Sequence, residues 1–227
     1  MPSWGRRARG RRVAFRGLFF ATTAARLEPH LRGLEAALAR ILPELFDGTV
    51  AARLAPHLDP HAGPGVAVAP GQSLPRGSVV GLYFGDVQDS ASTPRGDYVL
   101  DLGRVRRGGR TLRLLVDGAR RCSRRRGAVP DLRNAALFNH TCSGASVRLG
   151  RLAGYTFPCA IAYTTRCLGA GEPLRWNYDG DGSRAAFTVD ADESVRLSAR
   201  GVTCVPCACR GALPCPRRRW FPLNRGT

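Results

Sequence analysis

The chain has 227 residues and a formal net charge of +18. All 35 of its basic side chains are Arg and none is Lys, so the charge persists as pH rises, because Arg does not deprotonate in proteins. No window approaches the roughly 18 consecutive apolar residues of a transmembrane helix, and a 44% hydrophobic content with scattered acids excludes general disorder. The length suits one domain of about 150 residues with extensions, or one larger domain. The charge favours a polyanionic partner, such as nucleic acid, chromatin or an acidic protein surface.

The N-terminal part of the chain is first basic and then helical in pattern. Residues 1–16 predict a basic arm, which we interpret as a nuclear-localisation or nucleic-acid-binding patch. The apolar residues that follow resemble a signal peptide or an organelle presequence, but an Arg interrupts them. Apolar residues at steps of three and four predict an amphipathic helix over 26–46, which either packs on the following domain or binds a partner. A shorter helical patch at 50–58 completes a predicted helical extension, residues 17–62.

The pattern changes at residue 63, where short apolar runs separated by turn residues begin. Many short strands with few helices predict a β-rich domain, and the runs lie at 66–68, 78–84, 98–102, 111–116 and 160–164. Residues 104–127 are dense in Arg and predict an anion-facing surface loop, because guanidinium groups bind phosphate and carboxylate oxygens in a bidentate manner. No aromatic residue interleaves with these Arg residues, so stacking on single-stranded bases is not favoured.

Half of the eight cysteines fall close to the C-terminal end, within residues 204–215. This clustering favours a metal site over a disulfide framework spread along the chain. A secreted, disulfide-bonded domain is the alternative interpretation. We predict that Cys122, Cys159 and Cys167 are core thiols.

Three motifs follow one another in the second half of the chain. They are Asn139-His140-Thr141-Cys142, then Gly171-Glu172-Pro173-Leu174-Arg175-Trp176-Asn177-Tyr178, then Cys207-Ala208-Cys209 followed by Cys215. Each motif is ordinary alone. Their order and separation, however, resemble the SET-domain family of protein-lysine methyltransferases with a post-SET cysteine segment, and the resemblance extends from Gly63 to Cys215.

Earlier segments carry the resemblance further, while several positions depart from it. Gly63-Pro64-Gly65-Val66 resembles the opening hairpin of the family, and Tyr83-Phe84-Gly85-Asp86-Val87 resembles its Tyr-x-Gly-Glu-Val segment. Ala136-Leu137 replaces the usual Arg-Phe, Pro173 replaces the second Glu of Gly-Glu-Glu, and Asn177 replaces an Asp. These departures indicate a divergent member of the family.

The resemblance implies a fold and a domain order. We expect a mostly β chain with a SET-type β-fold of several small sheets over 63–190, an Arg-rich insert at 104–127, the N-terminal helical extension, and a zinc-bound C-terminal tail at 200–217. The implied zinc ligands are Cys142, Cys207, Cys209 and Cys215, since four thiolates form a closed tetrahedral structural site. Cys204 is a spare thiol that could replace a ligand of the tail.

The resemblance also implies an active site for methyl transfer from S-adenosylmethionine to a lysine amine. We expect Tyr178 to be catalytic, with its hydroxyl near the methyl carbon. Tyr83 and Trp176 are expected to line a lysine channel whose aromatic walls desolvate the ammonium, and the bulk of Trp176 predicts lower-order methylation. Glycine permits close approach of the backbone to a ligand, and the expected cofactor-binding residues are Gly63, Pro64, Gly65, Asn139 and His140.

The resulting hypothesis is a protein-lysine N-methyltransferase of histones in the nucleus, associated with chromatin and not with a membrane. The Arg-rich arm and the segment 104–127 are expected to engage nucleosomal DNA or the acidic patch of the nucleosome, leaving the histone tail to the channel. A catalytically weak SET-like module that binds chromatin or nucleic acid is one alternative, and a nucleic-acid packaging protein is another. The codon bias of a GC-rich genome, as in a large DNA virus or a GC-rich microbe, explains the absence of Lys, which also leaves the chain no lysine of its own to methylate.

Overall fold

The computed structural model describes residues 14–89, 98–107, 110–119, 130–141, 143–151 and 159–178. Strands are the predominant regular element in these residues, and helices are few. The helices are α1 (Glu28–Ile41) and α2 (Thr49–Ala52). The strands are β1 (Phe15–Arg16), β2 (Ala21–Thr22), β3 (Leu54–Asp59), β4 (Gly63–Val68), β5 (Val79–Leu82), β6 (Asp86–Asp89), β7 (Val99–Arg107), β8 (Arg110–Asp117), β9 (Asn139–His140), β10 (Val147–Arg151), β11 (Ala160–Thr164) and β12 (Arg175–Trp176).

The strands are divided among several small sheets. One sheet has five strands in the order β1-β2-β6-β8-β7, and another has three in the order β10-β11-β5. Strand β3 pairs with β4, and β12 pairs with β9, to form two-stranded sheets. The expectation of a mostly β chain built from several small sheets is therefore confirmed.

The described N-terminal residues belong to the same core as the rest of the fold. Strand β2 pairs in parallel with β6, and the side chains of Phe19 and Phe20 are at most 1% exposed. The carboxylate of Glu35 on α1 accepts hydrogen bonds from the amides of Leu18, Phe19 and Phe20 at 2.8–2.9 Å. The end of the predicted basic arm, Phe15–Arg16, is thus a strand, and the apolar residues after it fill the core because burial of their rings is strongly favourable.

Helix α1 is shorter than the helix predicted over 26–46. It ends at Ile41 because Pro43 disfavours helical backbone in the residue before it, and Leu42 leaves the helical region with φ −129° and ψ 60°. The buried face of α1 follows the predicted spacing of three and four, and its residues are Leu31, Leu34, Ala37 and Leu38.

No helix within the described ranges is long and apolar enough to cross a membrane.

The predicted helical patch at 50–58 is wrong over its second half. Helix α2 ends at Ala52, and β3 then pairs along its whole length with β4. The ring of Pro56 removes a backbone donor that a helix would need, so main-chain pairing with β4 outweighs the local helical spacing. The boundary expected between residues 62 and 63 falls inside this β3–β4 hairpin, and its two sides share one sheet.

The Arg-rich segment 104–127, expected to be a surface loop, is a β-hairpin over its described first half. Strand β7 continues to Arg107 and β8 begins at Arg110, and these two residues are register partners. Val and Thr stand between the Arg residues and favour extended backbone. Pairing of β8 with β6 places the hairpin within the five-stranded sheet. Residues 120–129 lie outside the described residues.

The described cysteines are free thiols in two different environments. Cys159 is buried, as predicted, and burial raises the pKa of its thiol to about 12. Cys167 is exposed, so the prediction that it is a core thiol is wrong. Its neighbour Leu168 is buried and bonded through its backbone to Leu74, and the cysteine beside it is left facing solvent. Cys122 lies outside the described residues.

Candidate active site

Two of the three motifs meet as neighbouring strands. Strands β9 and β12 pair in parallel, with Asn139 opposite Arg175 and His140 opposite Trp176. The amide of Thr141 continues the pairing by donating to the carbonyl of Trp176 at 3.1 Å. The Asn-His motif and the motif around Trp176 therefore share one short sheet although they are distant in sequence.

Strand β4, which carries the Gly-rich segment, lies beside the second motif. The amide of Leu174 donates to the carbonyl of Val66 at 2.8 Å. The side chain of Glu172 closes the preceding turn by accepting from the amide of Gly169 at 2.6 Å and from Arg166 at 2.7 Å. The Gly169 amide and then Arg166 hold the pKa of Glu172 below its usual value. The ionised carboxylate thus stabilises the turn that brings this motif to β4.

Gly63 and Gly65 lie against the side chain of Asn139. The Nδ2 of Asn139 donates to the carbonyl of Gly63 at 3.3 Å, and Gly63 has a φ of +80°, which favours glycine. A Cβ at residue 65 would lie 2.6 Å from Nδ2 and 3.0 Å from Cγ of Asn139. Glycine at this position is therefore what allows the close approach. Pro64 between them is exposed.

The predicted catalytic residue, the two channel residues and one predicted cofactor-binding residue form a buried group that we call the aromatic cluster: Tyr178, Tyr83, Trp176 and His140. The ring centroids of Tyr83 and Trp176 are 6.3 Å apart, those of Trp176 and Tyr178 4.6 Å, and those of His140 and Tyr178 4.8 Å. Each of the four side chains is at most 8% exposed. The indole Nε1 of Trp176 donates to the carbonyl of Ala135 at 3.2 Å, which fixes the ring.

Two hydrogen bonds hold Tyr178 within the aromatic cluster. Its hydroxyl donates to the carbonyl of Phe138 at 2.6 Å, and its amide donates to Nδ1 of His140 at 3.1 Å. Because Nδ1 accepts, this nitrogen carries no proton in the structure. A hydroxyl has one hydrogen, so the Tyr178 oxygen can act toward any further group only as an acceptor.

An ion pair between the buried Asp59 and the partly exposed Arg175 joins the turn of the β3–β4 hairpin to β12. Asp59 is 2% exposed. One of its oxygens accepts from the amides of His61 at 2.8 Å and Ala62 at 3.0 Å, and the other accepts from the guanidinium of Arg175. Burial by itself raises the pKa of Asp59, but the two amides and Arg175 outweigh it, so the pKa lies below its ordinary value. The carboxylate is therefore ionised where it meets Arg175.

No protein-family model and no curated protein match the chain. Among solved structures, the chain is similar to CpSET8 from Cryptosporidium, with 16% identity, 56% of this chain and 57% of that chain covered, and a TM-score of 0.39. It is also similar to the methyltransferase domain of human histone-lysine N-methyltransferase SETMAR. The identity is 14%, the alignment covers 57% of this chain and 45% of that chain, and the TM-score is 0.40. For ATXR5 in complex with histone H3.1 monomethylated on R26, the identity is 15%, the coverage 71% of each of the two chains, and the TM-score 0.44. The chain thus spans little more than half of CpSET8.

The expected zinc ligands lie outside the described residues, and so does the spare Cys204. The ligands concerned are Cys142, Cys207, Cys209 and Cys215. Within the part of the chain that the structure describes, no three His, Cys, Asp or Glu side chains are grouped so that they could hold a metal ion. The zinc site stays a prediction that rests on the resemblance of these cysteines to a post-SET segment.

Sequence reasoning missed three buried polar residues that support the site, namely Asp59, Asn134 and Ser146. The Nδ2 of Asn134 donates to the carbonyl of Phe84 at 3.1 Å, which ties the segment before β9 to the end of β5. The hydroxyl of Ser146 accepts from the amide of Arg175 at 2.9 Å. Asn is scarce in this chain, so Asn134 could have been noticed, whereas a single Ser or Asp near a turn carries no such signal.

Proposed function

We propose that this protein is an S-adenosylmethionine-dependent protein-lysine N-methyltransferase that acts on a histone. The observation that carries the proposal is the pairing of β9 with β12, which gathers Asn139, His140, Trp176 and Tyr178 into one buried site. The first two motifs whose order resembles the SET-domain family are therefore also in contact with one another. Chance motifs scattered along a chain would not be expected to meet in this way.

The cofactor-binding residues in this proposal are Gly63, Pro64, Gly65, Asn139 and His140. The missing Cβ at Gly65 lets this strand approach Asn139 closely. The Asn139 amide offers both a donor and an acceptor, which suits the charged amino-acid end of the cofactor. S-adenosylmethionine, when bound, supplies a methyl group carried on a sulfonium.

Tyr178 is the catalytic residue in this proposal. Because its hydroxyl hydrogen is donated to Phe138, its oxygen meets a lysine amine as an acceptor and takes one N–H hydrogen bond. Accepting that hydrogen bond fixes the direction of the nitrogen lone pair. Alignment of this kind contributes up to about 7–11 kcal/mol in favourable intramolecular reactions, so orientation by Tyr178 needs no strong acid–base pair beside it.

Tyr83 and Trp176 form the walls of the lysine channel in this proposal. Apolar ring surface removes water from the amine, and the ring faces attract the methylated cation. The indole of Trp176 is held by its hydrogen bond to Ala135, so it cannot turn aside without losing a buried hydrogen bond. A fixed, bulky ring leaves little room for successive methyl groups.

We expect mono- or dimethyllysine as the main product of the wild type and a shift toward trimethyllysine in Trp176→Phe, because phenylalanine is smaller and cannot bond to the Ala135 carbonyl. Mass spectrometry of a methylated histone would measure the distribution. Tyr163→Phe is the matched control, since this half-buried tyrosine of β11 lies outside the aromatic cluster. Trimethyllysine as the main wild-type product would refute the limiting effect of Trp176.

For the C-terminal tail we propose one structural zinc ion held by Cys142, Cys207, Cys209 and Cys215. Elemental analysis of purified wild-type protein should then give about one zinc per chain, since a closed site of this kind has four thiolate ligands. Cys209→Ser should lower the zinc content, and Cys167→Ser, which alters an exposed free thiol, should not. Because Cys204 can substitute, the decisive variant is Cys204→Ser with Cys209→Ser, and full zinc retention in it would contradict the site.

Histone binding by a chain with a net charge of +18 calls for an anionic partner, since two cationic proteins repel one another. We propose that nucleosomal DNA or the acidic patch of the nucleosome supplies it, through residues 1–16 and the segment 104–127. These contacts would place the protein in the nucleus, on chromatin. Further Arg side chains are exposed on the described surface at Arg16, Arg32, Arg40, Arg76, Arg148 and Arg166.

Isothermal titration with S-adenosylmethionine, followed by radiolabelled methyl transfer to nucleosomes and to free histones, tests the proposal. We expect saturable cofactor binding and labelled histone. Failure to bind the cofactor would overturn the enzyme proposal. Binding without transfer to any histone substrate would favour the alternative, a catalytically weak SET-like module that binds chromatin. Since the chain has no Lys, labelling of the protein itself cannot arise from the proposed reaction.

A further inference from the structure

Asp59 links two separate parts of the fold through one buried carboxylate. It is the last residue of β3, and one oxygen accepts from the amides of His61 and Ala62 in the following turn. The other oxygen accepts from Arg175 on β12. Asp59 is also the register partner of Gly63, the first residue of β4. The position of Gly63 therefore depends on the turn that Asp59 holds.

Arg175 lies in β12 beside residues of the proposed active site without belonging to the aromatic cluster. It is the register partner of Asn139 and precedes Trp176 directly. Its amide is held by the hydroxyl of Ser146. Its Nε is buried and meets no acceptor within the described part of the chain. The ion pair with Asp59 is therefore the main constraint that the described residues place on its guanidinium.

Two side-chain hydrogen bonds of different strength join the same two elements, in addition to the main-chain bond from Leu174 to Val66. Between the β3–β4 hairpin and the β9–β12 pair, Asp59 bonds to Arg175, and Gly63 accepts a longer 3.3 Å hydrogen bond from Asn139. Removal of Arg175 would leave the buried Asp59 carboxylate without its opposite charge, which is strongly destabilising, whereas removal of Asp59 would leave an Arg175 side chain that is 30% exposed. In either case the Gly63–Asn139 hydrogen bond would remain at the first residue of β4, and the main-chain bond from Leu174 to Val66 would remain further along the strand.

We infer that Asp59 and Arg175 form a positioning pair that sets the affinity for S-adenosylmethionine by holding Gly63 and Gly65 against Asn139. This inference rests on the proposed function. The pair acts through the backbone of β4 and not on the reacting atoms. Its loss should consequently weaken cofactor binding more than it lowers turnover at saturating cofactor.

The test is isothermal titration of the full chain with S-adenosylmethionine, for the wild type, Asp59→Asn, Arg175→Gln, their double variant and Arg175→Lys. Each single substitution should raise Kd about tenfold, which corresponds to a loss of about 1.4 kcal/mol of binding free energy. The double variant should be no weaker than the worse single one, because the two residues act as a unit. Arg175→Lys, which keeps the charge, should recover part of the affinity, and kcat at saturating cofactor should change less than Kd.

Arg166→Gln is the matched control, since it breaks the exposed ion pair with Glu172 next to the same motif and should leave Kd unchanged. A second readout needs no cofactor: amide hydrogen exchange over 61–65 should be faster in Asp59→Asn than in Arg166→Gln. Unchanged Kd in both Asp59→Asn and Arg175→Gln, with a wild type that binds, would overturn the inference alone. A wild type that does not bind the cofactor would overturn the proposed function and the inference together. If Asp59→Asn does not fold, the test is the comparison of Kd between Arg175→Lys, Arg175→Gln and the wild type. Equal Kd values in these three proteins would overturn the inference.

Discussion

Replacement of Tyr178 by Phe is expected to lower kcat for methyl transfer by about 100-fold or more, a loss typical of removing one preorganised hydrogen-bonding group from an active site. The substitution deletes the oxygen that the amine would bond to and keeps the ring that packs on Trp176 and His140. Binding of S-adenosylmethionine should stay close to that of the wild type. Radiolabelled transfer to nucleosomes and isothermal titration measure the two quantities separately.

The same substitution has a cost in stability that must be separated from the catalytic effect. Without the hydroxyl, the carbonyl of Phe138 loses its 2.6 Å hydrogen bond, and an unsatisfied buried acceptor costs about 1–3 kcal/mol. Thermal unfolding of Tyr178→Phe and of the control Tyr163→Phe shows whether the protein is folded at the assay temperature. A folded Tyr178→Phe variant with wild-type turnover would remove Tyr178 from the mechanism.

Replacement of Gly81 by Ala should lower the free energy of unfolding by about 3 kcal/mol or more, at the upper end of what overpacking costs. A Cβ at this position would lie 2.1 Å from the carbonyl oxygen and 2.9 Å from the carbonyl carbon of Arg133. Both are backbone atoms, and the same carbonyl accepts from the amide of Leu82 at 3.0 Å. The backbones of β5 and Arg133 cannot move apart without breaking the hydrogen bond that joins β5 to the segment before β9.

Chemical denaturation of Gly81→Ala beside Gly33→Ala provides the measurement and its control. Gly33 lies inside α1, and a Cβ there would meet no atom within 4 Å. Because glycine is a poor residue for a helix interior, Gly33→Ala should raise stability by about 0.5–1 kcal/mol. If Gly81→Ala unfolded at the same denaturant concentration as the wild type, the close approach of β5 to Arg133 would be wrong.

The local hydrophobic pattern predicted secondary structure correctly where the conformation of a segment depends mainly on its own residues. Predicted strands at 66–68, 98–102, 111–116 and 160–164 all coincide with strands of the structure. Pattern was a poor guide at 50–58, where helical spacing predicted a helix and pairing with β4 produced β3. Charge density was also a poor guide at 104–107, where a loop was predicted and β7 continues, because it favours an exposed position but does not oppose an extended backbone.

The sequence by itself determined the permanent positive charge, the absence of any lysine, the many short strands and the identity of the residues proposed for chemistry. Those features depend on composition and on residues close in the chain. Only the tertiary structure decided that Asn139 lies opposite Arg175, that Gly65 approaches Asn139, and that Asp59 meets a partner 116 residues away. Hydrophobic periodicity specifies which face of a strand is buried and not which strand it will pair with. Distant strands pair when the apolar faces of all the strands are buried and their backbone hydrogen bonds are satisfied at the same time. No local sequence motif specifies these pairings.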